Sequence, residues 1–199
     1  MVSSAYKPAV NRVIEPIARL AIKAKITPNA VTLIGTFGTI ISALYFYPRG
    51  DLFIGTLFIC VFALSDLFDG AIARLSARGA SQWGAFLDST CDRLTDASIL
   101  GALAVYCVLN KNDIYVVVVA SIVFGFLVSY IRAKAESFGV PCTVGLAERT
   151  ERLIIALTAI GLHGLDVPYS LAVGVWLLFA LSFITVIQRV SVVNKGLRQ

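Results

Sequence analysis

The segment that decides the fold spans residues 52–74 and reads LFIGTLFICVFALSDLFDGAIAR. Its apolar part ends at Ser65 and is too short to cross a bilayer, because a spanning helix needs about 20 apolar residues. It reaches that length only if the helix continues through Asp66 and Asp69 to Arg74. The segment therefore predicts a membrane helix that carries two carboxylates near one end.

The composition of the whole chain is also typical of a membrane protein. The 199 residues are 58% hydrophobic and 15% charged, and the mean hydropathy is +0.84. Soluble domains average about 45–50% apolar and about 25% charged residues. The composition argues against a soluble globular domain, and the abundance of apolar side chains excludes a disordered chain.

Six apolar segments predict an all-α integral membrane protein with six transmembrane helices, folded as a single domain over residues 1–199. The predicted spans cover residues 29–48, 52–75, 83–109, 113–136, 149–165 and 168–190. Ahead of them, residues 8–24 carry apolar and charged side chains on different faces. That pattern predicts an amphipathic juxtamembrane helix lying on the membrane surface. A cap packed on the helix bundle is the alternative for this segment.

The basic residues lie mostly on one side of the predicted spans. Of the 17 Lys and Arg residues, only Arg49 and Lys111 fall in loops on the opposite side. The positive-inside rule then places both termini in the cytoplasm, and an even number of spans agrees with that orientation. We therefore expect a multi-pass protein of the cell membrane whose working face is cytoplasmic.

Four carboxylates are predicted to meet between the second and third spans. Asp66 and Asp69 are three residues apart, and Asp88 and Asp92 are four apart, so each pair shares one helix face. Oxygen ligands of this kind suit Mg²⁺ or Mn²⁺, and two divalent ions serve phosphoryl transfer. A buried ion-pair network without metal is the alternative. Asp96 follows one turn later, either as an outer group of the site or as a helix residue paired with Arg93 or Lys134.

The spacing of these residues resembles the signature of the CDP-alcohol phosphotransferases. The pattern is Asp-x-x-Asp-Gly-x-x-Ala-Arg, a spacer, and Gly-x-x-x-Asp-x-x-x-Asp, and the nine-residue spacer is one longer than the commonest form. Its eight fixed positions are Asp66, Asp69, Gly70, Ala73, Arg74, Gly84, Asp88 and Asp92. The resemblance implies a metal-dependent enzyme, acting as a homodimer, in which an alcohol displaces CMP from a CDP-lipid.

The resemblance also implies a role for each position. Four carboxylates would hold two Mg²⁺ ions, with Mn²⁺ as a possible substitute: Asp66, Asp69, Asp88 and Asp92. Asp92 would in addition be the general base that takes the proton of the acceptor hydroxyl. The CDP-lipid would be contacted from the start of the first span, from the signature and from one residue of its spacer. These residues are Asn29, Ala30, Val31, Thr32, Asp66, Asp69, Gly70, Ala73, Arg74 and Ser81.

A second group of basic residues lies at the cytoplasmic ends of the fourth, fifth and sixth spans. Its members are Arg132, Lys134, Arg149, Arg152 and Arg189. Arginine binds phosphate in a bidentate manner, so these residues favour an acceptor that itself carries a phosphate. The alternative is ordinary positive-inside flanking in contact with anionic lipid headgroups.

The sequence around these basic residues resembles one group within the family, the bacterial phosphatidylinositol phosphate synthases. The resemblance rests on SYIRAKAE at 129–136, ERTERLI at 148–154 and LDSTCDR at 87–93. It implies that CDP-diacylglycerol reacts with inositol 1-phosphate (1D-myo-inositol 3-phosphate), with Arg132, Arg152 and Arg189 holding the acceptor phosphate. Arg132 and Lys134 stand in the reverse of the expected Lys-then-Arg order, which would alter the geometry of the phosphate contacts.

Two other functions remain open from the sequence. A phosphatidylglycerophosphate synthase would use glycerol 3-phosphate, which also bears a phosphate. A divalent-cation transporter is a more distant alternative, because transporters place such sites near the bilayer midplane and often show internal repeats. The expected partners are CDP-diacylglycerol, a phosphorylated polyol and the lipid bilayer, and no nucleic acid is expected.

Overall fold

The computed structural model describes residues 16, 19, 20, 23, 27–75 and 81–198, and at positions 66, 67, 69, 73 and 74 it describes the backbone alone. Most of the predicted juxtamembrane helix, residues 8–24, lies outside the described residues, so that helix stays a prediction. The described part of the chain consists of helices joined by short turns and loops. This agrees with the all-helical fold expected from the sequence.

Seven α-helices follow one another in residues 27–75 and 81–198. They are α1 (Pro28–Phe46), α2 (Leu52–Ala63), α3 (Ser65–Leu75), α4 (Gln82–Leu109), α5 (Tyr115–Ser137), α6 (Arg149–His163) and α7 (Ser170–Gly196). A short 3₁₀ turn, Tyr47–Arg49, extends α1. Three segments are long and apolar enough to cross a membrane: Pro28–Arg49, Tyr115–Ser137 and Ser170–Gly196. The fold is therefore that of an all-helical membrane protein.

The helix expected over residues 52–75 is interrupted. It ends as α2 at Ala63 and restarts as α3 at Ser65, with Leu64 in a turn between them. At the interruption, α1 lies close to the end of α2 and the start of α3. A Cβ added to Gly35 of α1 would overlap the Ser65 side chain and lie 3.0 Å from the Phe62 carbonyl oxygen. The residues of the first acidic pair thus begin a separate short helix.

The contacts divide the chain into two compact units. The first contains Met1–Ile41 and Phe58–Thr95. In it, Val31 of α1 and Phe68 pack against Ala71 and Ile72 of α3, which are 5% and 2% exposed. Burial of these apolar side chains holds the first turns of α1 against the helix that contains positions 66 and 69.

The second unit contains Ser42–Leu57 and Asp96–Gln199. Within it, both α5 and α6 pack against α7. Gly174 of α7 meets Ala159 of α6 so closely that an added Cβ would overlap the Ala159 methyl group. On the α5 side, the ring of Phe124 meets the rings of Phe179 and Phe183 edge-on, with centroids 5.4 and 5.2 Å apart. The last helix is therefore the shared element of this unit.

The loop between α5 and α6, residues 138–148, is anchored beneath the end of α5. Gly139 has φ +73°, and the Val140 N–H donates to the Ala135 carbonyl at 3.0 Å, which is the usual way for a left-handed residue to end a helix. Val140 and Cys142 then pack against the buried Ala135. The loop consequently follows a fixed path toward the start of α6.

Candidate active site

The first acidic pair lies on α3. Positions 66 and 69 are three residues apart in a continuous helix, so the two positions share one helix face. Their side chains are outside the described set. Gly70 follows directly and is partly buried.

The second acidic pair lies on α4. Asp88 and Asp92 are one turn apart in this helix, and both are partly buried. The Arg93 Nη2 atom lies 3.5 Å from the Asp92 Oδ2 atom, with the two side chains 26% and 17% exposed. The neighbouring positive charge offsets part of the cost of keeping a carboxylate away from bulk water. Asp92 thus lies beside a cation at a position where solvent access is limited.

These acidic residues suit a divalent cation by their chemistry. Four carboxylates on two helices supply only hard oxygen ligands, the set that Mg²⁺ and Mn²⁺ prefer. Among the side chains that the structure describes, no three His, Cys, Asp or Glu residues gather into a group that could hold a metal. That set lacks two of the four carboxylates, those of Asp66 and Asp69. The metal site therefore stays a prediction supported by the donor chemistry.

Two of the residues expected to contact the CDP-lipid meet around Gly84. The Ser81 Oγ atom accepts a hydrogen bond from the Gly84 N–H at 2.9 Å and so caps the start of α4. A Cβ added to Gly84 would lie 3.1 Å from Ser81 Oγ and 3.3 Å from Asn29 Oδ1. The missing side chain lets Asn29 and Ser81, far apart in sequence, approach each other. A serine hydroxyl that accepts a hydrogen bond can still donate its own proton.

The residues that follow Asn29 make hydrogen bonds and packing contacts within the protein. The Ala30 N–H donates to Thr27 Oγ1 at 3.3 Å, and Thr32 Oγ1 donates to the Pro28 carbonyl at 3.2 Å. Val31 packs on α3, as described above. These residues fix the first turn of α1, and Asn29 is the side chain they present beside Gly84 and Ser81.

Two of the five basic residues expected to bind the acceptor are buried and hold one loop. Arg152 is 7% exposed and Arg189 is 3% exposed. Arg189 donates from Nε to the Val144 carbonyl at 2.9 Å and from Nη1 to the Val128 carbonyl at 2.6 Å. Arg152 donates from Nη1 to the Ala147 carbonyl at 3.2 Å. Burying a cation is costly unless it is hydrogen-bonded, and backbone carbonyls meet that need without neutralising the charge.

The other three basic residues are more exposed and have other contacts. Arg132 pairs with Glu136 at 2.9 Å, and its charge lies within electrostatic range of Arg189. The Lys134 Nζ atom lies 4.6 Å from the centre of the Phe138 ring. Of the five cations predicted to form one group, Arg152 and Arg189 contact the same loop and Arg132 lies near Arg189.

Arg149 has a partner that the sequence did not suggest. Its Nε atom lies 3.4 Å from the Asp96 Oδ1 atom, and the side chains are 23% and 25% exposed. The sequence suggested that Asp96 is either an outer group of the metal site or a helix residue paired with Arg93 or Lys134, and the structure pairs it with Arg149. The pair links α4 to the first residue of α6.

Thr185 is a residue that sequence reasoning missed. It is fully buried, and its Oγ1 atom accepts a hydrogen bond from the Ala147 N–H at 3.4 Å. The available signal was its spacing, because Thr185 lies four residues before Arg189 and shares its helix face.

The chain belongs to the CDP-alcohol phosphatidyltransferase family. The family match extends over residues 25–188, so it includes the complete signature and four of the five basic residues. Arg189 lies one residue beyond it. The resemblance inferred from the spacing of the aspartates is confirmed.

Curated relatives in the family share much of the sequence. The phosphatidylinositol phosphate synthase of Streptomyces avermitilis is 44% identical over 193 residues, which cover 92% of this chain and 79% of the relative. The enzyme of the same name from Corynebacterium glutamicum is 40% identical over 187 residues, covering 92% of this chain and 85% of the relative.

Solved structures extend the likeness to the fold. The Mycobacterium tuberculosis phosphatidylinositol phosphate synthase with CDP-DAG bound matches with a TM-score of 0.86 and 37% identity, over 92% of this chain and 94% of that one. The same enzyme in complex with manganese and citrate matches with a TM-score of 0.85 and 36% identity, over 90% and 88% of the two chains.

Proposed function

We propose that this protein transfers the phosphatidyl group of CDP-diacylglycerol to inositol 1-phosphate (1D-myo-inositol 3-phosphate), giving phosphatidylinositol phosphate and CMP. The observation that carries the choice of acceptor is the pair of buried arginines, Arg152 of α6 and Arg189 of α7, which donate hydrogen bonds to the same loop. A neutral alcohol would not offset the free-energy cost of burying two cations, whereas a phosphate monoester would form charge-assisted hydrogen bonds with both. The names of the relatives, and the CDP-DAG bound to one of them, support the same reaction.

We assign two divalent ions to Asp66, Asp69, Asp88 and Asp92, with Mg²⁺ as the resident ion and Mn²⁺ as a substitute. The manganese in the M. tuberculosis relative supports a divalent ion in this family. When bound, such ions supply positive charge for the phosphoryl oxygens and the departing CMP.

The proton and the transferred group are assigned to separate residues. Asp92 takes the proton of the acceptor hydroxyl, as a general base placed within hydrogen-bonding reach of it. The acceptor oxygen then forms a bond to the lipid-side phosphorus, and the bond from that phosphorus to the CMP oxygen breaks. Asn29, Ser81 and Arg74 hold the CDP portion of the donor lipid during this exchange.

The acceptor phosphate is assigned mainly to Arg152 and Arg189, with Arg132 as the third cation. The ion pair between Arg132 and Glu136 is exposed to solvent. Exposed ion pairs are weak, so the Arg132 side chain can turn toward an anion. Arg149 and Lys134 add positive charge at the same helix ends. This set would also accept glycerol 3-phosphate, and the polyol ring contacts must distinguish the two acceptors.

We also propose the full membrane arrangement. Six spans place both termini and the active site at the cytoplasmic face of the cell membrane, and the protein works as a homodimer. The distribution of the basic residues supports this orientation. The six-span count requires α2 with α3, α4 and α6 to cross together with the three long apolar helices.

The reaction is tested by CMP release from CDP-diacylglycerol by the purified protein with Mg²⁺. Each acceptor is supplied alone: inositol 1-phosphate, glycerol 3-phosphate and unphosphorylated inositol, with chelator as the metal control. We expect CMP release with inositol 1-phosphate well above the rate with either other alcohol, and none with chelator. Release with glycerol 3-phosphate alone would reassign the protein as a phosphatidylglycerophosphate synthase. No release with any acceptor would contradict the transferase assignment.

A further inference from the structure

A short backbone segment, residues 144–147, sets the distance between the two buried arginines. Arg189 donates to the carbonyl at its start, that of Val144, at 2.9 Å. Arg152 donates to the carbonyl at its end, that of Ala147, at 3.2 Å. Because both guanidinium groups are bonded to the same segment, a shift of this backbone moves one relative to the other.

Thr185 fixes this segment to α7. Its Oγ1 atom accepts from the Ala147 N–H at 3.4 Å and donates to the Leu181 carbonyl of its own helix at 2.7 Å. Ala147 is thereby bonded on both sides, through its N–H to Thr185 and through its carbonyl to Arg152. A fully buried hydroxyl with both its donor and its acceptor engaged holds its neighbours in one arrangement.

Gly145 lies beside one edge of the Arg189 guanidinium group, where a side chain would be in contact with it. Its φ of +151° is a backbone conformation that side-chain-bearing residues rarely adopt. A Cβ there would lie 2.7 Å from the Thr185 methyl carbon and 3.7 Å from both Nε and Nη2 of Arg189. The Nη2 atom makes no hydrogen bond to any residue in the described part of the chain. A side chain at position 145 would therefore press on Thr185 and cover the guanidinium edge that is left for a ligand.

We propose that Thr185 and Gly145 are positioning residues for the acceptor phosphate, an inference that rests on the proposed function. Thr185 holds residues 144–147 in place, and these residues set the spacing at which Arg152 and Arg189 meet a phosphate monoester. Gly145 keeps Nη2 of Arg189 accessible to that phosphate. Neither residue touches the acceptor itself. Both act through the arginines, whose charged N–H groups form the strong hydrogen bonds.

The test is the steady-state kinetics of Thr185→Val, which keeps the shape and the methyl group of threonine and removes the hydroxyl. We expect the KM for inositol 1-phosphate to rise roughly fivefold, the size of effect expected for one lost hydrogen bond. The kcat and the KM for CDP-diacylglycerol should stay within about twofold of wild type, since only acceptor binding is disturbed. Thr185→Ser retains the hydroxyl and should restore the wild-type KM.

Three further measurements make the result decisive. Thr158→Val, at an exposed position of α6, is the matched control and should behave as wild type. The inhibition constant of inorganic phosphate should rise in Thr185→Val together with the acceptor KM. Thr185→Ala is the second variant if Thr185→Val does not yield a folded protein in melting and gel-filtration experiments. Unchanged acceptor KM in the folded variant, or an equal rise in Thr185→Ser, would overturn the inference.

Failure of the proposed function would be visible separately. In that case wild-type protein itself would release no CMP with inositol 1-phosphate. If it used glycerol 3-phosphate instead, the same variants would be compared by the KM for that acceptor, which also presents a phosphate monoester. A rise in that KM with Thr185→Val, restored by Thr185→Ser, would support the positioning role with the other acceptor.

Discussion

At the scale of single residues, the proposed chemistry depends on Asp92. It lies one helical turn from Asp88 on α4, with Arg93 beside it. The sequence predicted the acidic pair on this helix because a spacing of four residues needs only local helix geometry. It did not predict the ion pair of Asp96 with Arg149, because that contact joins residues 53 positions apart through the packing of α4 and α6.

Replacing Asp92 by asparagine separates proton removal from the other functions of the site. We expect Asp92→Asn to lower kcat by roughly 10²–10⁴-fold, the usual contribution of a general base. Divalent-ion binding should persist, because three carboxylates remain, and titration of the protein with Mn²⁺ measures it. Asp113→Asn, an exposed loop position, is the control and should keep full activity. Turnover near the wild-type rate in Asp92→Asn would remove it from the role of base.

At the scale of secondary structure elements, close tertiary contacts determine the helix break and the loop path that the sequence pattern does not predict. The predicted apolar segments overlap α1, α4, α5, α6 and α7, although α7 continues six residues beyond the predicted end at residue 190. The break at Leu64 was not predictable, because it accompanies the approach of Gly35 to Ser65, and such an approach depends on the tertiary packing. The same limit applies to the loop at residues 138–148, whose path is set by carbonyl contacts with distant arginines.

Two glycines of α4 give a matched test of the proposed donor-lipid contacts. Gly84→Ala would bring a methyl group within 3.1 Å of Ser81 Oγ and 3.3 Å of Asn29 Oδ1, whereas Gly101→Ala would meet nothing within 4 Å. Overpacking typically costs at least ~1 kcal/mol, so we expect the KM for CDP-diacylglycerol to rise roughly fivefold or more in Gly84→Ala. Gly101→Ala should leave that KM unchanged. An unaltered KM in Gly84→Ala would mean that Asn29 and Ser81 do not contact the donor lipid.

At the scale of the whole molecule, composition alone predicted a helical membrane protein, and the signature aspartates predicted the family. Both are properties of residue type and spacing, which the sequence displays directly. The acceptor alcohol is harder to predict from the sequence, because several phosphorylated alcohols carry the same charge. The burial of Arg152 and Arg189 supports the proposal of a phosphorylated acceptor, and the names of the relatives that are about 40% identical support the proposal of inositol phosphate.

The central claim is tested most directly by a competition between acceptors. Purified protein receives CDP-diacylglycerol, Mg²⁺ and equal concentrations of inositol 1-phosphate and glycerol 3-phosphate, and mass spectrometry identifies the lipid product. We predict that phosphatidylinositol phosphate is the dominant lipid formed, in an amount equal to the CMP released. Phosphatidylglycerophosphate as the dominant product would contradict the proposed function.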